Sequence, residues 1–217
     1  MAGSGSDGRS TLASAPRAIV QDRTRRRYKS VVQPLTVRTS EVAAAPWRNG
    51  GGVTRELLAL PAADGWRVRV SVAEVARDGH FSTFAGVERW FAVVEGAGVV
   101  LTIDGREHRC TRDDGAALAF AGAARTSCRL IDGATRDLNL MLRDARGSLA
   151  RAVAGSAWRP RERACGLYAT AAGNVSAEGD ADAAMPAHAL RWWSAAPTAI
   201  AFDGTGWWLD VDAERAP

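Results

Sequence analysis

Apolar and polar residues alternate in short segments along most of this chain, and this alternation constrains the fold more than any other feature. In residues 66–76, WRVRVSVAEVA, one face carries Trp66, Val68, Val70 and Val72. The other face carries Arg67, Arg69, Ser71 and Ala73. A period of two residues is typical of a β-strand with two different environments on its faces. The segment therefore predicts a strand.

The same pattern recurs at a spacing of roughly ten residues, which is typical of a sandwich or barrel. Residues 88–110 predict consecutive hairpins, with turns at 95–98 and at Asp104-Gly105, because Asp-Gly is a favoured two-residue hairpin turn. In residues 136–143, Leu138, Leu140 and Leu142 face one way. Asp137, Asn139 and Met141 face the other. Helical signals are weak, and residues 144–156 predict either a short helix or only a connection. The fold class is all-β.

The N-terminal segment differs from the rest of the chain in charge. Residues 1–38 carry eight Arg or Lys against two Asp, so the remaining chain is at −2 although the whole is at +4. Residues 1–32 lack hydrophobic periodicity, and we expect a disordered basic arm there. Such a tract can touch nucleic acid, but it is more often a solvated tail. Binding to nucleic acid is therefore not expected.

Two kinds of segment that direct a chain to a membrane are not found in the sequence. No apolar run reaches the roughly 18 residues that a transmembrane helix needs. Residues 1–30 lack the apolar core of a secretory signal. We therefore expect a cytoplasmic protein with no membrane partner.

Three consecutive glycines stand in PWRNGGGVTRELLAL, residues 46–60. A phosphate-binding P-loop needs GxxxxGK[ST] before a helix, whereas here the glycines lead into a predicted strand. A tight turn and the rim of a binding pocket both remain as explanations. The neighbouring strands carry four arginines, at Arg55, Arg67, Arg69 and Arg89. Inside a barrel they would suit a small carboxylate, and on solvent faces they would form ordinary ion pairs.

Several motifs in sequence order resemble the HutD/Ves family. They are PWRNGGGVTREL (46–57), RVSVAEV (69–75), GHFSTFAGVER (79–89), VVEGAG (93–98), FAG (120–122) and GATRDLNLML (133–142). The resemblance implies a bicupin-like fold, in which one chain forms a pair of jelly-roll β-barrels. We expect a bicupin domain over residues 33–217, with the first barrel at about 33–143 and the second part at about 144–217. It also implies a small-molecule pocket in the first barrel.

The matching positions supply the predicted ligand-binding residues. They are Asn49, Thr54, Arg55, Glu56, Arg69, Ser71, Ser82, Arg89, Asp137 and Asn139. Arg69 would clamp a carboxylate, with Arg55 or Arg89 as its helper. An alignment displaced by two residues makes Arg67 the alternative to Arg69, because both positions share one strand face.

No metal and no cofactor are predicted. Metal-using cupins need closely spaced histidines with a Glu, whereas His80, His108 and His188 are far apart in this chain. Cys110, Cys128 and Cys165 show no CxxC spacing, so we expect them to be small apolar residues.

The function that these observations favour is non-catalytic binding of a small carboxylate. The resemblance implies an N-formylglutamate-like ligand and a role in modulating histidine utilisation or a stress response. The alternative is a metal-independent enzyme acting on a small acid, with Glu56, Glu74 or Asp137 as general base.

Two tryptophan pairs, Trp192-Trp193 and Trp207-Trp208, must each divide between two sheet faces. One member of each pair would then be exposed and would suit an interface. A homodimer is therefore one assembly to expect.

Overall fold

The structure is a computed structural model that describes residues 33–61 and 65–213. Within that part the chain forms antiparallel strands and a single short 3-10 turn, η1, at Thr39–Glu41. The predicted basic arm at residues 1–32 lies outside the described residues. The strands that precede residue 144 are β1 (Leu35–Arg38), β2 (Ala45–Pro46), β3 (Gly52–Leu60), β4 (Val68–Val75), β5 (Gly79–His80), β6 (Val87–Glu95), β7 (Val99–Ile103), β8 (Arg106–Cys110), β9 (Leu118–Ala121), β10 (Thr126–Leu130) and β11 (Thr135–Arg143).

The strands that follow build the second half. They are β12 (Arg146–Ala152), β13 (Ala157–Trp158), β14 (Ala164–Ala169), β15 (Gly173–Ala177), β16 (Ala183–Met185), β17 (Ala189–Trp193), β18 (Ile200–Phe202) and β19 (Gly206–Asp212). The helix considered for residues 144–156 does not form. Residues 146–152 are instead strand β12, whose seven residues all pair with β19, and this pairing supplies backbone hydrogen bonds that the weak local helix signal could not outweigh.

Each barrel is made of two sheets, so the all-β, two-barrel fold is confirmed. The first barrel joins a six-stranded sheet, in the order β2-β3-β4-β11-β6-β9, to a four-stranded sheet, β5-β10-β7-β8. The second joins a five-stranded sheet, β1-β17-β14-β19-β12, to a four-stranded sheet, β13-β18-β15-β16.

The first strand belongs to the second barrel. Residues 33–143 were assigned to the first barrel from sequence, but β1 pairs with β17, from Leu35 opposite Trp192 to Arg38 opposite Ala189. The chain therefore begins its described part in one barrel, completes the other with β2–β11, and then returns. Local periodicity cannot reveal such a pairing, because it identifies a strand without identifying its partner.

The large sheets of the two barrels pack face to face. Their shared core contains Val68, Val70 and Val72 of β4 together with Leu138, Leu140 and Leu142 of β11. From the second barrel it takes Tyr168, Leu190, Trp192, Trp207, Leu209 and Val211. The predicted apolar faces of β4 and β11 are thus confirmed, and they lie between the barrels. The opposite faces of the same strands point into the first barrel.

The tryptophan pairs are divided between sheet faces as predicted, but none of the four is exposed. Trp192 and Trp207 lie in the core between the barrels, and Trp193 and Trp208 lie inside the second barrel. All four have exposed fractions of 4% or less. The prediction of an exposed indole was wrong because both faces of the five-stranded sheet are covered. The homodimer stays a prediction without that support.

Candidate functional site

A cavity of about 410 Å³ lies inside the first barrel, on the inner face of the six-stranded sheet. Its wall is formed by Ala45, Pro46, Trp47, Arg48, Asn49, Thr54, Arg69, Ser71, Ala73, His80, Phe81, Ser82, Phe84, Arg89, Asp137, Asn139 and Met141. This volume falls in the range of pockets that bind small molecules, roughly 300–1,000 Å³.

Three neighbouring strands, β4, β11 and β6, arrange the polar residues of the wall in rows. The first row runs Arg69–Met141–Arg89, the second Ser71–Asn139–Phe91, and the third Ala73–Asp137–Val93. Every second residue of a strand faces the same side, so the register brings one row after another to the cavity. Two arginines thus stand in the same row, on either side of Met141.

Arg69 is the more exposed of these two arginines. Its Nε donates to Glu56 Oε2 at 2.6 Å, and its Nη1 approaches the Met141 sulfur at 3.5 Å. The side chains of Arg69 and Glu56 keep 19% and 47% of their surface exposed. The charge of Arg69 is therefore already balanced by a carboxylate in contact with solvent.

Arg89 lies deeper and is only 7% exposed. Its Nη2 donates to Asn139 Oδ1 at 2.8 Å, and its guanidinium carbon lies 5.1 Å from the centre of the Phe120 ring and 5.2 Å from that of Phe81. Its buried Nε has no hydrogen-bond partner among the described residues. Burial lowers the pKa of Arg89 to about 10, although the charge of Asp137 acts in the opposite direction. Arg89 is still a cation at neutral pH.

Asp137 is buried in the third row, beyond Asn139. Its Oδ1 accepts a short hydrogen bond from Asn139 Nδ2, so Arg89, Asn139 and Asp137 form one chain of hydrogen bonds. Its Oδ2 is buried and has no partner among the described residues. Burial raises the pKa of Asp137 to about 7, against the opposing effects of Arg89 and of the Asn139 bond. A proton can therefore bind to or leave this carboxyl near neutral pH.

The triple-glycine segment is the turn of the β2–β3 hairpin at the rim of the cavity. The Gly51 amide donates to Asn49 Oδ1 at 3.0 Å, and Asn49 Nδ2 reaches the His80 carbonyl at 3.4 Å. Trp47 Nε1 donates to Thr54 Oγ1 at 2.7 Å, across the same hairpin. Both explanations of the glycines therefore hold. The glycines form a tight turn, and the hairpin that contains this turn supplies part of the cavity wall.

Gly52 has the most demanding position in this turn. A Cβ atom there would lie 2.2 Å from the Glu74 carbonyl oxygen and 3.2 Å from a Trp47 ring carbon. A Cβ on Gly51 would meet only the end of the Asn49 side chain, at 3.2 Å. We expect Gly52→Ala to lower the free energy of unfolding by about 1–3 kcal/mol, because backbone must move. Chemical denaturation measures this, and Gly51→Ala is the control with the smaller expected loss. Equal losses in the two variants would contradict the explanation.

Eight of the ten predicted ligand-binding residues line the cavity: Asn49, Thr54, Arg69, Ser71, Ser82, Arg89, Asp137 and Asn139. Glu56 is not part of the wall but holds Arg69 at its edge. Arg55 is not part of it either: it stands opposite Val72, whose face of the sheet packs against the second barrel. Its selection was wrong because Thr54 and Arg55 are adjacent in a strand and must face opposite sides.

The remaining sequence candidates, Arg67 and Glu74, lie outside the cavity wall. Arg67 precedes β4, does not line the cavity and donates to the Asp144 carbonyl, so Arg69 is the arginine at the cavity. Glu74 is on the opposite face from Ser71 and forms an ion pair with Arg136 at 3.2 Å. It is therefore not a candidate base for chemistry in the cavity.

Sequence reasoning missed an aromatic part of the wall, made of Trp47, Phe81 and Phe84. Trp47 and Phe81 pack edge to face, with ring centres 5.9 Å apart. Both lie inside the motifs quoted above, which was a usable signal. The charged or titratable residues that were missed are Arg48 and His80, and the other missed residues of the wall are Ala45, Pro46, Ala73 and Met141.

Two further observations concern the described residues only. No group of three or more His, Cys, Asp or Glu side chains is arranged there as a metal site would require. No helix in residues 33–61 and 65–213 has the length and apolar character needed to cross a membrane.

Comparisons with known proteins agree with this architecture. An uncharacterized 21.2 kDa protein in the hutC 3′ region of Pseudomonas putida is 39% identical over 107 residues, which are 48% of this chain and 56% of the relative. Protein Ves of Citrobacter koseri is 38% identical over 100 residues, or 45% of this chain and 51% of the relative. The chain thus spans about half the length of the curated relatives it matches.

A solved structure extends the likeness to most of the chain. HutD from Pseudomonas fluorescens SBW25, described in a formate condition, has 27% sequence identity and a TM-score of 0.71. That match covers 82% of this chain and 97% of the other. The family model named HutD matches residues 39–209, which include β2 to β18 and the first part of β19. The chain therefore belongs to the HutD family.

Proposed function

We propose that the protein is a non-catalytic binding protein that holds a small carboxylate in the first-barrel cavity. The observation that carries this proposal is the row in which Arg69 and Arg89 stand on either side of Met141. A guanidinium donates two parallel hydrogen bonds to a carboxylate, and the buried Arg89 Nε has a hydrogen to donate and no acceptor among the described residues. An unpaired buried donor is costly, and a bound carboxylate would remove that cost.

The rest of the wall supports a ligand larger than a lone carboxylate group. Ser71, Thr54 and Ser82 offer hydroxyls, and Trp47 and Phe84 offer apolar surface. An N-formylglutamate-like acid, with carboxylates and an amide, matches this mixture of groups. The P. putida relative is described by its position beside hutC, and the solved relative is named HutD. These names are in line with the role in modulating histidine utilisation that the family resemblance implies, and a stress response is the other context that it implies.

Calorimetric titration with formate, glutamate, urocanate and N-formylglutamate tests the proposal. We expect saturable binding of at least one of them without turnover. Arg69→Ala should weaken that binding by about tenfold, the value of one exposed charged hydrogen bond. Glu56→Gln is the matched variant, because it removes the carboxylate that competes for Arg69, and binding should stay equal or become tighter. No binding by the wild-type protein to any of the four acids would contradict the proposal.

A second candidate function is favoured by one specific observation. A metal-independent enzyme acting on a small acid would need a general base, and Asp137 lines the cavity with its pKa raised to about 7. Incubating the same acids with the protein and a chelator, and following product by NMR, tests this alternative. Product that disappears in Asp137→Asn would support the enzyme. Binding without product would support the binding protein.

A further inference from the structure

Two of the three arginines at the cavity are paired with a carboxylate, whereas Arg48, which is exposed at the rim, has no ion-pair partner among the described residues. Arg69 contacts Glu56, and Arg89 is joined to Asp137 through Asn139. An anion that enters this cavity while Asp137 is ionised finds no unbalanced positive charge in the buried part of the wall. It must compete with Asp137 for the charge of Arg89.

A bound anion can change the protonation only of the titratable groups near it. The charged and titratable groups around the barrel interior are Arg89 on β6, Arg69 on β4, Glu56 at the edge on β3, Arg48 in the β2–β3 turn at the rim, His80 on β5, Cys110 on β8 and Cys128 on β10. Burial, and to a smaller extent the charges of Asp114 and Asp137, raises the pKa of the Cys110 thiol to about 11. Burial, and then chiefly the charge of Asp137, raises the pKa of Cys128 to about 12. Both thiols are therefore neutral at pH 7.

Arg89 is the cation whose charge stabilises ionised Asp137. A carboxylate bound to Arg89 would place a second negative charge beside the same guanidinium, in a region from which water is largely excluded. Two carboxyl groups that share one site cannot both stay ionised without a large cost in free energy. The ligand enters as an anion whose own pKa lies far below neutral, so Asp137 is the group that gains a proton.

We propose that, where Asp137 is ionised in the free protein, the cavity takes up one proton with each carboxylate that it binds, and that Asp137 holds this proton. The buried carboxyl oxygen with no partner among the described residues, the single chain of hydrogen bonds to Arg89 and the balanced charges in the buried part of the wall carry this inference. It rests on the proposed function, since it describes how the same cavity would accept an anion. Asp137 would thereby set the affinity for anions according to pH.

The expected pH dependence follows from the direction of the shift. Below about pH 7 Asp137 is already protonated in the free protein, so the affinity should not change with pH. Above that pH the proton must come from solvent, and the apparent affinity should fall by up to about tenfold per pH unit. The opposite slope, with tighter binding at higher pH, would overturn the inference.

Calorimetry with formate as the probe counts the protons directly. Titrations at about pH 6 and about pH 8.5, each in two buffers of different ionisation enthalpy, give the number of protons taken up per formate bound. We expect close to none at the lower pH and close to one at the higher pH. Formamide, which has a similar shape and no charge, should bring no proton with it.

Two variants assign the proton to its residue. Asp137→Asn should bind formate with no proton uptake and with an affinity that does not depend on pH. Uptake that is lost in His80→Gln but kept in Asp137→Asn would overturn the assignment. If Asp137→Asn does not fold, the ¹³C shift of the Asp137 carboxyl in the wild-type protein, with and without formate, decides the question. An Asp137 carboxyl that stays ionised on binding would overturn the inference.

The two proposals fail in different ways. Formate or glutamate that binds above pH 7 without proton uptake would overturn the proton coupling and leave the proposed function intact. No binding of any carboxylate at either pH would overturn both.

Discussion

Replacing Arg89 with methionine should weaken carboxylate binding by at least about 100-fold. Hydrogen bonds to charged groups contribute about 1.5–3 kcal/mol each, and this variant removes both that a guanidinium would give to a bound carboxylate. The effect should exceed that of Arg69→Ala, because Arg89 is only 7% exposed and Arg69 already shares its charge with Glu56. Calorimetric titration with the acid that binds the wild-type protein most tightly measures the change.

Methionine is unbranched like the arginine stem, extends to the position of Nε and suits the aromatic rings of Phe81, Phe84 and Phe120, so the variant should fold. Arg129→Met is the matched control, because Arg129 is 60% exposed and its ion pair with Glu107 is long, at 4.0 Å. That control should bind as the wild type does. A folded Arg89→Met protein with unchanged affinity would show that the ligand lies elsewhere.

Trp207→Ala should lower the free energy of unfolding by about 3–5 kcal/mol, the cost typical of removing a large aromatic side chain from a packed core. Trp207 is 1% exposed and lies among residues of both barrels in the core between the two large sheets. The structure cannot close around the resulting space without moving one barrel against the other. Urea denaturation followed by circular dichroism measures the loss.

Two controls separate this effect from a general sensitivity of the second barrel. Val153→Ala changes a residue that is 59% exposed and should cost less than about 0.5 kcal/mol. Trp207→Phe keeps much of the ring and removes an indole N–H that has no partner among the described residues, so its cost should be clearly smaller. A loss in Trp207→Ala as small as that of Val153→Ala would contradict the shared core.

Much of the fold and of the candidate site could be predicted because strand alternation is a strictly local signal. Once Leu138, Leu140 and Leu142 are assigned to one face, Asp137 and Asn139 must lie on the other. Motif residues on neighbouring strands were therefore selected together, and most of them line the same cavity.

The remaining features depend on what a strand packs against, which its own residues do not encode. One indole of each tryptophan pair was expected at the surface, yet Trp192 and Trp207 lie between the barrels, and Trp193 and Trp208 lie inside the second barrel. Residues 146–152 have no strong local preference, and pairing with β19 makes them a strand. The raised pKa of Asp137 arises from its burial, and a carboxyl in a sequence does not show how deeply it will be buried.

The placement of β1 in the second barrel has a consequence for how this protein is made. During translation β1 is synthesised before any strand of the first barrel, whereas β17, the strand that pairs with β1, is synthesised much later. Thr36 and Arg191, which are opposite each other in this pair, are 155 residues apart in sequence. Domains generally fold in the order of synthesis. The first barrel can therefore close while the backbone of β1 is still unpaired. Cutting the gene after β11 would not yield two independent halves, since the first product would carry a strand that the second one needs. Without β1, the edge of β17 would be left open to pairing with other chains.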